Sequence, residues 1–225
     1  MNDTKQKSRF VFEALDVHGI LALAGIVGPL VLVATDLAAA FSQPAYDFIK
    51  DSISSLALTS LGWIQTIGFL VIGLLIEIFT AGLYLNVQKR RGFGVGIGLL
   101  AFFGFSLLLI GAFRTDPVGM AHTIDGRIHL AASYAVFGLF PIAVVSLLPS
   151  LSNDSKWRGM YFYSTITTGL AFALAIGWLF LPEKSKYFGL YERIMVLNAV
   201  AWIEIIAIRL LVLSVRRQRQ TQNQS

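Results

Sequence analysis

The sequence predicts an all-α fold, a single integral membrane bundle of six spanning helices. The 225 residues are 56% hydrophobic and only 14% charged. A soluble domain carries about 25% charge, so this chain lacks the charge to cover a water-facing surface. Mean hydropathy is +0.69, and the apolar residues gather into long runs, each near the roughly 20 residues a helix needs to cross hydrocarbon. In lipid only helices or closed barrels satisfy the backbone, and continuous runs of this length read as helices.

The spans are expected at Gly19–Phe41, Gly62–Leu85, Phe93–Phe113, Ile128–Pro149, Met160–Leu181 and Leu190–Ser214. They form one domain, residues 19–214, preceded by a cytoplasmic segment (1–18) and followed by a basic, disordered cytoplasmic tail (215–225). The first run ends in LAAAFSQ, where Ala38, Ala39 and Ala40 imitate a signal-peptidase site. The apolar stretch before them exceeds the about 7–15 residues of a signal core, so it reads as an uncleaved helix. The third run opens on GFGVGIG with no strand before it, and a dinucleotide fingerprint fails on that context. Gly94 and Gly98 are expected instead to form a small face for a neighbouring helix.

The loops alternate in character. NVQKRRG and SLSNDSKWRG, after spans two and four, are short and basic. With the N-terminus inside, the cytoplasmic side carries Lys5, Lys7, Arg9, Lys89, Arg90, Arg91, Lys156, Arg158, Arg216, Arg217 and Arg219. The outer side carries Lys50, Arg114, Arg127, Lys184, Lys186 and Arg193. This bias places both termini in the cytoplasm of a multi-pass protein of the cell membrane. The net charge of +5 is therefore a topology signal and not one for nucleic acid, since the short tail RRQRQTQNQS has no fold to present it. That tail is placed to meet anionic lipid. Membrane lipids are the expected partners, and the sequence indicates neither a protein partner nor an oligomeric state. The outer loop PEKSKYFGLYER carries Tyr187, Phe188 and Tyr191, which suit an aromatic belt. In the first outer loop, IKDSISSLAL is expected to form a short interfacial helix with Ile49, Ile53 and Leu56 on one face.

The chain has no cysteine, which excludes disulfides, thiol nucleophiles and cysteine-ligated metal centres. Asp36, Glu77, Glu204 and Arg209 lie inside apolar runs. Charges at this depth are costly and usually partnered. Glu77 and Glu204 sit at comparable levels and would share a proton, or be held by Arg209, if their helices were neighbours. Read functionally, Asp36, Glu77 and Glu204 outline a proton path. Read structurally, they are buried acids that are protonated or hydrogen-bonded, and the lack of a regular acid array favours this. Asn198, Gln65, Thr35 and the Thr165–Thr168 run are expected to bond between helices.

Most of the chemistry-capable residues lie in the first two outer loops. The first offers Tyr46, Asp47, Lys50, Asp51, Ser52, Ser54 and Ser55. The second offers Arg114, Thr115, Asp116, His122, Asp125, Arg127 and His129. His18, at the opposite edge, cannot join them. Asp125 and His129 share a helical face at i, i+4, so a divalent metal held by Asp116, His122, Asp125 and His129 is a candidate cofactor. His122 and His129 are about 10.5 Å apart along an unbroken helix and would converge only if Asp125 and Gly126 marked a bend. The alternative is that Thr123 or Asp125 caps span four and His129 is an interfacial hydrogen-bonder. A haem is disfavoured because both histidines sit at one end of one span. Ser54, His129 and Asp116 supply the residue types of a hydrolytic triad but no elbow motif.

AGIVGPL in span one, YDFIKDSISSL in the first outer loop, GWIQTIGFLVIGLL in span two, FRTDP after span three and GRIHLAA opening span four occur in this order. Together they resemble the prokaryotic six-helix membrane proteins grouped as domain-of-unknown-function (DUF) family 998. The resemblance covers roughly residues 25–210 and implies the architecture but no activity. It marks Asp51, Ser54, Thr115, Asp116 and His129 as recurring polar features. Arg114 stands where the family pattern leads one to expect Pro, which would put an Arg–acid pair in place of a rigid turn. The expected function is binding of a lipid headgroup, ion or partner at an outer polar pocket lined by Asp51, Ser54, Asp116 and His129, with pairing of His129 to an acid making binding pH-dependent. The alternatives are a metal-dependent hydrolase acting on a lipid and a small proton-coupled transporter.

Overall fold

The structure, a computed structural model, describes residues 16–223. Its helices are α1 (Val17–Phe41), α2 (Trp63–Asn86), α3 (Phe93–Ala112), α4 (Ile124–Asn153), α5 (Arg158–Trp178) and α6 (Phe188–Gln222). All six are long and apolar enough to cross a membrane, and no strand occurs among the described residues. Each helix packs on the next and α6 returns to α1, which closes an up-and-down ring.

α4 and α6 overrun the expected spans at both ends, whereas α5 stops at Trp178, short of the expected Leu181. α4 starts at Ile124 because Thr123 caps it, its hydroxyl accepting from the Gly126 N–H at 3.0 Å. α6 continues through Gln222, so residues 215–222 are helical where disorder was expected. Nothing in RRQRQTQ breaks a helix, and Arg and Gln are good helix formers. Of the expected N-terminal segment, residues 1–15 lie outside the described residues. The α1–α2 loop holds a 3-10 turn at Ser54–Leu58 in place of an interfacial α-helix. Ile53 and Leu56 point inward, while Ile49 is 48% exposed, so the three share no face.

With lipid outside, apolar burial does not drive helices together; close packing and interhelical bonds do. A Cβ on Gly73 would lie 2.9 Å from the Gly104 carbonyl oxygen, so α2 and α3 cross backbone to backbone. Gly96 faces Leu147 and the Ala143 carbonyl of α4. Gly94 and Gly98, expected to be the contact face, have nothing within 4 Å, because Gly96 sits on the face turned inward. Three polar bonds pin α6 to α5: Trp202 Nε1 to Ser164 Oγ at 2.9 Å, Asn198 Nδ2 to the Thr167 carbonyl at 3.3 Å, and the Tyr191 hydroxyl to the Leu174 carbonyl at 2.7 Å. Asn198 thus bonds between helices as expected. Thr35 and Thr165 do not; each donates to its own helix. Gln65 and Thr168 are buried without a partner among the described residues.

At the basic end, Asp16 caps α1 by accepting from the Gly19 N–H (2.8 Å) and also accepts from the Ser214 hydroxyl of α6 (2.6 Å). Partial burial works against its charge, but these two bonds, together with the nearby His18 and Arg217, prevail and hold its carboxyl below the ordinary value. Arg209 donates from Nε to the Lys156 carbonyl at 3.0 Å. It therefore braces the α4–α5 loop and does not hold Glu77.

Candidate functional site

The opposite end of the bundle, where the α1–α2, α3–α4 and α5–α6 loops gather, is organised by two residues at the start of α6. The first backbone N–H groups of a helix lack intrahelical partners. Here those of Gly189 and Leu190 find the carbonyls of Lys50 (3.2 Å) and Ile49 (2.9 Å). The approach is so close that a Cβ on Gly189 would overlap the Asp51 carbonyl. Arg193 Nη1 reaches the carbonyls of Phe48 and Asp51, both at 3.0 Å, while Nη2 donates to Asp36 Oδ1 at 3.3 Å and to the Tyr46 hydroxyl. Burial raises the Tyr46 phenol well above its ordinary value, so it stays a neutral donor to the Ser52 carbonyl at 2.8 Å. Glu192 is buried, and its Oε2 accepts from the Ile53 N–H at 2.7 Å. The α1–α2 loop is thereby fastened to α6 between Tyr46 and Ile53.

The α3–α4 loop is folded around Asp116. Its two oxygens accept from the Thr123 N–H (2.9 Å) and hydroxyl (2.8 Å), and His122 Nδ1 lies 3.5 Å away. The Thr123 bonds, with His122, hold the Asp116 carboxyl below its ordinary value. His129, one turn into α4, is 5% exposed, and its Nδ1 lies 2.9 Å from the Phe113 carbonyl. A carbonyl only accepts, so Nδ1 carries the proton and Nε2 is left as the acceptor in the neutral ring.

These segments enclose a cavity of about 740 Å³. Asp51, Ser54, Thr115, Asp116 and His129 all line it, as does His122. Asp125 does not, and it is exposed. Glu192, Ser133, Trp178, Phe188, Glu183 and Lys184 also border it, and none of these was expected from sequence. The overlooked clue was Asp36: a carboxylate inside span one calls for a cation at matching depth, and Arg193, next to Glu192, is that cation.

Several expectations do not hold. Among the described residues no three His, Asp or Glu side chains are grouped to hold a metal. α4 runs unbroken through Asp125 and Gly126, so Asp116, His122, Asp125 and His129 do not converge. The acid beside a histidine is Asp116 with His122, not with His129. Ser54 Oγ lies 3.2 Å from Ser52 Oγ, and His129 is oriented by a carbonyl, so no triad forms. Arg114 is exposed and makes no ion pair among the described residues. Asp36 belongs to Arg193, Glu77 lies over Gly104 of α3, and no hydrogen bond joins Glu77 to Glu204. None of these three acids lines the cavity.

Six apolar helices in a closed ring, with a polar cavity at one mouth, define a multi-pass membrane protein. The chain belongs to the DUF998 family of proteins of unknown function, whose model matches residues 26–209. No curated protein and no solved structure matches it.

Proposed function

We propose that the protein binds the headgroup of a membrane lipid in the cavity at the mouth of its helix ring. The observation that carries this reading is convergence: all three loops of that end, with His129, Ser133 and Glu192, border one space. At about 740 Å³ it falls within the range of small-molecule sites, roughly 300–1,000 Å³. A bare ion would leave most of that volume unfilled, and among the described residues no three-ligand set is grouped to hold one. The lining is rich in hydroxyls and carboxylates, with two ammonium groups and aromatic faces, and so offers donors, acceptors and both signs of charge. The basic loops lie on the cytoplasmic side in this reading, on the Lys/Arg bias, and the cavity opens on the other side.

The test is lipid retention by purified protein in native mass spectrometry. Ser54→Leu together with Ser133→Leu should cut bound phospholipid at least tenfold with the helical content unchanged. Equal retention by variant and wild type would remove the reading. Orientation is checked in this cysteine-free chain by Ser55→Cys. An impermeant maleimide should label intact cells, and labelling only after permeabilisation would invert the topology.

A further inference from the structure

Below the polar cavity lies a second space. It is an apolar slot of about 40 Å³ on the axis of the ring, with residues of all six helices in its wall. The two spaces are stacked on the same helices. On α4, Ser133 lines the cavity and Phe137, one turn deeper, lines the slot. On α5 the pair is Trp178 and Leu174; on α6 it is Glu192 and Val196. Steps of four residues descend about 6 Å, so the floor of one space is the roof of the other. The partition is aromatic: Trp178 packs against Phe137 with ring centroids 5.0 Å apart and against Phe188 at 4.8 Å. Pro141 cannot donate a backbone bond to the Phe137 carbonyl, which loosens α4 at this level. Asn198 is the polar side chain on the slot wall, and its amide is engaged by Thr167. Walls of this kind repel water and accept hydrocarbon.

The cavity above has a charge preference. Its ionisable lining comprises two lysines, Lys50 and Lys184, against four acids, Asp51, Asp116, Glu183 and Glu192. The balance is acidic. Trp178, Phe188 and Tyr134 add aromatic faces that attract an ammonium group, and the two lysines suit a phosphate.

Resting on the headgroup reading above, we propose that the ligand is an amine-bearing zwitterionic phospholipid held at two levels. Its phosphate and ammonium occupy the cavity, and a few methylenes of one acyl chain pass the Trp178–Phe137 partition into the slot. The acidic balance sets an amine lipid above an anionic one, and the slot sets a lipid above its free headgroup.

The experiment uses the full chain in detergent with a series of probes. These are glycerophosphoethanolamine, phosphatidylethanolamines of increasing chain length, and dioleoyl phosphatidylglycerol. Affinity should rise from the chainless compound by about fourfold per buried methylene, then level off after a few carbons once the slot is full. Phosphatidylethanolamine should outbind phosphatidylglycerol at least tenfold. Ala171→Phe, and independently the half-buried Val196→Phe, should lower retention of dioleoyl phosphatidylethanolamine at least tenfold and leave glycerophosphoethanolamine binding within twofold. Chain-independent affinity in the wild type, or folded slot variants that keep the long-chain lipid, would overturn the two-level mode and leave the headgroup reading intact. A preference for phosphatidylglycerol would overturn the amine assignment. Failure of every probe to bind would overturn both readings.

Discussion

Arg193 of α6 and Asp36 of α1 form an ion pair of 3.3 Å, with side chains only 12% and 14% exposed. The same guanidinium holds the Phe48 and Asp51 carbonyls and the Tyr46 hydroxyl, so one residue joins the first span, the α1–α2 loop and the last span. Removing one partner of a buried pair costs about 3–5 kcal/mol, because the other charge is left uncompensated. Arg193→Met should therefore lose about that much stability in thermal unfolding of the detergent-solubilised protein. Arg193→Lys should not restore it, since an ammonium lacks the planar fork. Asp36→Asn with Arg193→Met should cost less than the sum of the single changes. Strict additivity would mean that the pair is incidental.

Asp116 gives the structure an acid-sensitive joint. Its folded-state pKa is depressed below 3.8 by the Thr123 bonds and His122. Its contribution is therefore complete above the unfolded value of about 3.9 and is lost as pH falls through the lower folded value. Asp116→Asn should flatten the fall in Tm below about pH 4 and leave the curve between pH 6 and 8 parallel to wild type. Thr123→Ala removes the cap and should cost about 1 kcal/mol at neutral pH. Unchanged acid limbs in both variants would dissociate the loop from this carboxylate.

The glycines separate into two kinds. Gly73→Ala places a methyl against the Gly104 carbonyl and Leu108 at 2.8–2.9 Å, so helix α3 must shift, at about 1–3 kcal/mol. Gly98→Ala meets open space and should stabilise by roughly 0.4–1 kcal/mol through the unfolded chain. Melting temperatures of the two variants should move in opposite directions, and equal shifts would contradict the crossing geometry.

Gln65 is fully buried, and neither Oε1 nor Nε2 has a partner among the described residues. An unpaired buried polar group costs about 1–3 kcal/mol, so Gln65→Leu, which keeps the approximate shape, should leave Tm unchanged or raise it. A marked loss of stability would show that the amide is bonded in the membrane.

Hydropathy made the six spans legible because each apolar run is long enough to satisfy its backbone only as a helix. It could not mark where helices outlast their apolar core. α4 gains a turn from the Thr123 cap, and α6 gains two from RRQRQTQ, neither of which is apolar. Asp51, Ser54, Thr115, Asp116 and His129 were legible as polar residues clustered between apolar runs and singled out by the family resemblance, and all five line the cavity. Their pairing was not, since His129 had an apparent partner in the nearby acids and took a backbone carbonyl. Glu192 and Arg193 were hidden by position: at the head of the last apolar run they read as flanking charge, although they are the residues that fasten the first loop.

The closing contact between α1 and α6 sets an order of assembly. The α1–α2 loop emerges early in synthesis, yet the groups that hold it, the Gly189 and Leu190 amides and the Glu192 and Arg193 side chains, come only with the sixth helix. Until the sixth helix is inserted, Asp36 waits in the bilayer without its cation and the mouth of the ring has no fixed shape. Formation of the cavity thus waits on the sixth helix, and a product cut short after α5 would leave Asp36 without its ion-pair partner and the α1–α2 loop without its anchors.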